Sequence, residues 1–121
     1  MHSQYDVNKT SDLVSLSIKI FYGQKAVSRI FIDKDMIPVP GSEPIDFDFQ
    51  DDVIGLQIGQ NNFLNKKALA IFSTVLDVSP SDKAAVQIIL EGGVKKVVYP
   101  PVIQPVSNSG LAYFPFVINF Y

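Results

Sequence analysis

Apolar and polar residues alternate with a period of two along most of this chain. Val14, Leu16, Ile18, Ile20 and Tyr22 interleave with Ser15, Ser17, Lys19 and Phe21, the pattern of a strand with one buried face. Gly23-Gln24 turns the chain and Ala26 to Ile32 follows as a second strand, so the spacing predicts that these two pair as a hairpin. Pro38, Pro40, Gly41 and Pro44 make residues 33–44 a loop or an irregular edge, because proline lacks the N–H that a ladder needs. Ile45, Phe47 and Phe49 then alternate with Asp46 and Asp48. After the turn Gln50-Asp51-Asp52, Ile54, Leu56 and Ile58 alternate with Gly55, Gln57 and Gly59, where glycine marks a bulge or a close backbone approach. Ile18, Ile20, Phe47, Leu56 and Ile58 are therefore expected in the core.

Periodicity alone does not decide the middle of the chain. Leu64, Ala68, Ile71 and Val75 fit a helical stripe, while Ala70, Phe72, Thr74, Leu76 and Val78 fit a strand, and residues 81–90 carry the same ambiguity. The β-branched residues Ile71, Thr74, Val75 and Val78, with Val86, Ile88 and Ile89, favour strands for both segments. Val94 to Tyr99 reads as a further strand closed by Pro100-Pro101, and Leu111 to Tyr121 as the last. Residues 1–12 are polar and aperiodic and read as a flexible leader to a single domain over 13–121.

Seven or eight short strands bounded by turn residues predict an all-β fold, an antiparallel two-layer β-sandwich. The alternative is an α+β fold with helices near 62–76 and 81–91. The stretch Leu76-Asp77-Val78-Ser79-Pro80-Ser81-Asp82-Lys83-Ala84-Ala85-Val86 resembles the corner before the sixth strand of immunoglobulin-like domains, with Val86 where an Asp-x-Ala-x-Tyr pattern has its tyrosine. The resemblance implies that an immunoglobulin-like topology is compatible with the chain. The cysteine pair and the tryptophan of antibody domains are absent.

Composition narrows the chemistry. With no cysteine there is no disulfide, thiolate nucleophile or cysteine metal site, and 121 residues bury a core without such staples. The single histidine, His2, removes Ser-His-Asp catalysis and histidine metal centres. No phosphate loop, Gly-x-Gly-x-x-Gly or Gly-x-Ser-x-Gly occurs, and no cofactor is expected. Nine lysines spread singly or in pairs form no basic cluster, which argues against nucleic acid as a partner. The 25 residues from Val97 to Tyr121 carry no charge, yet their four prolines break any membrane-spanning helix. Residues 1–6 have neither the basic start nor the apolar core of a signal peptide. The triplet Asn8-Lys9-Thr10 has N-glycosylation spacing, and triplets of this kind commonly arise by chance.

Two constellations remain. The net charge of −2 conceals an acidic block over 33–52, with seven carboxylates against Lys34. Asp33, Asp35, Asp51 and Asp52 would bind calcium if the ends of their strands met, and otherwise are solvated charges guarding turns and edges. The C-terminal strand carries Tyr113, Pro115, Val117, Asn119 and Tyr121 on one face. That face is either buried between layers or an exposed contact surface for a protein or a carbohydrate. The leading expectation is a non-catalytic binding or protein-interaction module of a secreted, periplasmic or cell-surface protein. A structural subunit that self-associates by strand addition through the C-terminal strand is the alternative, and a small enzyme using residues 33–52 the third.

Overall fold

The computed structural model describes residues 1–39, 52–107 and 110–121. In chain order the elements are β1 (His2–Tyr5), β2 (Leu13–Ile20), β3 (Lys25–Ile32), β4 (Asp35–Ile37), β5 (Val53–Gln60), the single turn α1 (Asn61–Leu64), β6 (Ala68–Leu76), β7 (Lys83–Glu91), β8 (Val97–Val98), β9 (Val102–Pro105) and β10 (Leu111–Phe120). They form two packed sheets, ordered β1-β10-β6-β3-β4 and β5-β2-β7-β8, with β9 continuing the β8 edge along β7. All pairings are antiparallel except β1 with β10. The fold is the all-β sandwich expected, and both ambiguous segments are strands. Of the helix considered near 62–76, α1 alone is helical.

Strict alternation builds the core. In β10 the inward side chains Ala112, Phe114, Phe116, Ile118 and Phe120 are buried, and β6 contributes Leu69, Ile71 and Val75 beside them. The other sheet answers with Val14, Leu16 and Ile18 of β2 and Val86, Ile88 and Leu90 of β7. Ile18 and Ile58 are buried as expected, whereas Ile20 and Leu56 are half-buried at the margin. Phe47, with the strand expected over 45–49, lies outside the described residues.

Three sequence expectations are corrected. First, β2 and β3 are not a hairpin: β2 pairs β5 and β7, while β3 pairs β4 and β6 in the opposite sheet. The connection is an arch across the sandwich, and its turn holds Tyr22 at φ 64° and Gly23 at φ 71°. Second, residues 1–12 are not a flexible leader. His2–Tyr5 runs parallel to Val117–Phe120, Tyr5 and Val7 are buried, and the Val7 N–H donates to the Tyr121 carbonyl at 2.9 Å. Third, Ile54 does not share the inward face of Leu56 and Ile58 but is 70% exposed. The register shifts twice against β2, and Gly55 at φ 61° forms a bulge that turns Ile54 outward, while the Gly55 N–H donates to the Ser17 hydroxyl at 3.0 Å. The strand after the immunoglobulin-like corner, β7, pairs β2 on one side and β8 and β9 on the other.

Two buried carboxamides hold the ends of the sandwich. Gln24 in the β2–β3 arch accepts from the N–H groups of Val78 and Ser79 and donates to the carbonyls of Ser81 and Lys83, so the β6–β7 connection is fastened to the arch. At the other end Asn61 accepts from the Asn8 N–H and donates to the Asp12 and Gly92 carbonyls. Gly92 is required there, because at φ 98° an added Cβ would lie 2.2 Å from the Leu13 carbonyl oxygen. Asn8 donates its own amide to the Gly93 carbonyl, which engages the glycosylation triplet inside the fold. Replacing Asn61 by alanine orphans several enclosed backbone groups. It should cost about 2–4 kcal/mol in denaturant titration, against less than about 0.5 kcal/mol for exposed Gln57→Ala.

Two tyrosines fasten β1 along the side of the sandwich. The Tyr5 hydroxyl donates to the Lys95 carbonyl and accepts from the Gly93 N–H, both at 2.9 Å. Tyr99, from the β8–β9 edge, donates to the Gln4 carbonyl at 2.6 Å and so ties one sheet to the other. Burial raises both hydroxyls above the ordinary value of 10, and Tyr99 reaches about 12, raised further by Tyr5 and lowered in part by Ser3. Between pH 10 and about 12 the unfolded chain sheds a proton that folded Tyr99 keeps, so stability is complete below this window and falls as pH rises through it. The expected loss is about 1–2 kcal/mol by pH 12, less than the full shift would give because the hydroxyl is only partly buried. Melting curves across that range should show a shallower alkaline decline for Tyr99→Phe than for the unchanged chain.

Candidate interaction surface

The ladder registers fix what the β1-β10-β6-β3-β4 sheet presents to solvent. Residues directly opposite share a face, so the outward rows are Leu111, Leu76, Lys25; then Tyr113, Thr74, Val27; then Pro115, Phe72, Arg29; then Val117, Ala70, Phe31, Met36. An antiparallel sheet facing water normally carries polar residues there. The opposite sheet is mixed, with Ser15, Ser17, Lys19, Gln87 and Glu91 on its outer face beside Ala85, Ile89, Val98 and Ile103. Here the rows are mainly aromatic and aliphatic. Tyr113 is 64% exposed, Met36 54%, Phe72 50% and Leu111 48%, and they form one patch with half-buried Phe31, Val27, Leu76 and Val117. Phe72 sits at its centre, edge-on to Phe31 with ring centroids 6.1 Å apart. A notch of about 120 Å³ opens between Phe72, Thr74, Tyr113 and Pro115.

The five β10 residues singled out from sequence all lie along one line of this face. Tyr113 and Pro115 are exposed, Val117 and Asn119 half-buried, and Tyr121 is 57% exposed just beyond the strand. Asn119 meets His2 of β1 at 3.1 Å. Sequence reasoning did not bring in Phe72, Phe31 and Met36. The available signal was that residues 68–76 are apolar at both parities, which a strand with a single buried face does not need.

Pro115 is tolerated because β10 is half an edge. The Val117 and Tyr121 N–H groups donate towards β1, to the carbonyls of Met1 and Tyr5, so the nitrogen of Pro115 points to the same side just before β1 begins. The ladder to β6 is untouched. The Tyr113 carbonyl on this open edge accepts the Gln104 side-chain amide at 2.8 Å.

The acidic candidates do not assemble. Asp33 closes the β3–β4 turn at φ 50°, with one carboxylate oxygen accepting from the Ala68 N–H at 2.9 Å and the other 3.9 Å from the Lys67 ammonium. Asp35 begins β4 beside it. Asp52 accepts from the Ile20 N–H at 2.8 Å, at the opposite end of the sandwich, since Ile20 and Ile32 end strands that run in opposite senses along the two sheets. Asp51 lies outside the described residues. Antiparallel pairing of β5 with β2 places Asp52 at the Ile20 end, while β3 carries Asp33 to the other end. Among the described residues no three histidine or carboxylate side chains come together to hold a metal ion.

Two further cavities lie elsewhere. One of about 190 Å³ is bounded by Phe21, Tyr22, Ala85, Pro101 and Ile103, and another of about 460 Å³ runs along β5 between Val39 and Gln57. No helix among the described residues is long and apolar enough to cross a membrane. Comparison with family models, curated proteins and solved structures finds no match to this chain.

The two parities of β10 should respond differently to truncation. Phe114→Ala removes a ring that is 1% exposed and should cost about 3–5 kcal/mol. Tyr113→Ala, one residue earlier, should change unfolding free energy by less than about 1 kcal/mol.

Proposed function

We propose that this chain is a non-catalytic protein-interaction module that binds through the outer face of β10, β6, β3 and β4. One observation carries the reading: four adjacent outward rows across β10, β6, β3 and β4 are mainly aliphatic and aromatic, whereas the outer face of the other sheet mixes polar residues with single apolar ones. A contiguous apolar patch of several hundred Å2 is uncommon on a free surface, and aromatic side chains such as Tyr113 and Phe72 are frequent anchors at contact sites. Strand addition through the C-terminal strand is less well supported. Pro115 and the Gln104 amide occupy the open edge of β10, Pro100 and Pro101 interrupt the β8–β9 edge, and β4 has three residues.

Photo-crosslinking in the producing cells tests the surface. A benzophenone side chain placed at Phe72 or Met36 should give discrete protein adducts, and the same probe at Lys19 or Gln57 on the other sheet should give none. Adducts from the second pair alone, or from neither, would reject the reading.

A further inference from the structure

We infer that the cleft beside the β2–β3 arch, on the outer face of β2, β7 and β9, binds a small aromatic carboxylate. The site lies on the opposite sheet from the contact face and does not depend on that reading. Its shape follows from one row of the ladder. Phe21 donates its N–H to the Ala85 carbonyl at 3.0 Å, and Ala85 stands opposite Ile103, so the three side chains share one face. The middle one is a methyl group, 2% exposed, between a phenyl ring and an isoleucine that both stand out into solvent. Tyr22 and Pro101 complete the lining of a cleft of about 190 Å³. Size limits the occupant. An enclosed apolar cavity of about 150 Å³ holds one benzene ring, and pockets for drug-sized ligands begin near roughly 300 Å³. This cleft therefore takes a single ring.

The walls are fixed before any ligand arrives. Tyr22 stands at φ 64°, where glycine or asparagine is the usual residue and a tyrosine is costly, and its carbonyl accepts the Ser79 hydroxyl at 2.7 Å. The fold thus holds an aromatic ring at a backbone position that disfavours one, and that ring is a wall of the cleft. A rigid wall keeps the ordering cost of binding low. Charge names the other half of the ligand. Lys19 and Lys83 share this face one row to either side of Ala85, Lys19 opposite Gln87 and Lys83 opposite Pro105. Among the described residues neither lysine is in an ion pair. Of the nearby carboxylates, Asp52 accepts the Ile20 N–H and Asp82 precedes β7, while Glu91 lies three rows from Ala85. Two cations beside an apolar slot select an anionic group on the ring, and a carboxylate accepts the charge-assisted hydrogen bonds that an ammonium donates.

Titration of the isotope-labelled whole chain with phenylacetate, followed by amide chemical shifts, supplies the test. Saturable shifts are expected at Phe21, Tyr22, Ala85 and Ile103, with a Kd of about 0.1–2 mM. Phenylacetamide, of the same shape but neutral, should bind about three- to tenfold more weakly, and acetate should shift none of these amides. Ala85→Leu fills the cleft and should abolish the response to both ring compounds. Replacing Lys19 and Lys83 together by methionine should bring phenylacetate down to the affinity of phenylacetamide and leave phenylacetamide unchanged, which separates lost charge from a damaged cleft. Both lysines are exposed, so this pair keeps the test open should Ala85→Leu fail to fold, and each variant is checked for an unchanged melting transition. No saturation up to about 20 mM, equal affinity for the two ring compounds, or a phenylacetate response that the lysine replacements leave intact overturns the inference.

Discussion

Burial of the inner face of β10 is the constraint on which the rest depends. Phe114, Phe116, Ile118 and Phe120 point into the sandwich and leave almost no surface in water. Because side chains alternate with a period of two, fixing these residues inward fixes Tyr113, Pro115 and Val117 outward. A slip of one residue against β6 would exchange the two sets and place Pro115 and Asn119 in the core, so the register is strongly held. The apolar outer face is therefore a geometric consequence of the core, presented on a strand between β6 and β1.

The sheets need fastening as well as a shared core, and the polar fastenings lie at the perimeter. Gln24 satisfies all four of its hydrogen-bonding positions with backbone groups of the β6–β7 connection. Asn61 does comparable work at the other end, and Tyr99 bridges the sheets at the side. Each serves backbone groups that would otherwise be enclosed without partners, a costly state for connections that leave the ladders. Ser28 and Ser73 form the exception inside, sharing one hydrogen bond at 2.7 Å across β3 and β6.

What the sequence revealed follows from how local each signal is. The alternation of β2 and of β10 is written in consecutive residues, and both strands were legible, as were β6 and β7 once β-branched content was weighed against helical spacing. Partner choice is not local. Tyr22-Gly23 supports a tight turn between β2 and β3, but the same turn joins strands of one sheet or of two, and the sequence does not separate these. The ordering of residues 1–12 depends on Tyr5 finding the 93–95 turn across 88 residues, and a segment of polar residues with one buried tyrosine carries no periodic mark of it. Asn61 and Gln24 look like ordinary loop residues. The acidic block looked like a cluster because its members are near in sequence, but β5 starts beside the end of β2 and so holds Asp52 at the end opposite Asp33.

The same constraint decides how this sandwich can associate. A sheet protein offers neighbours either its edges, through unpaired backbone, or its faces, through side chains. At β4, β8–β9 and the open part of β10, a three-residue strand, prolines and a side-chain amide take up or remove the backbone groups that another strand would need, while β5 pairs β2 alone. The face bears no such obstruction. Its side chains are ordered by ladders on both sides of β6, so little conformational freedom remains to be lost when a partner covers them. Rigid rings on paired strands, Tyr113 on β10 and Phe72 on β6, are the groups best suited to the contact proposed for this face.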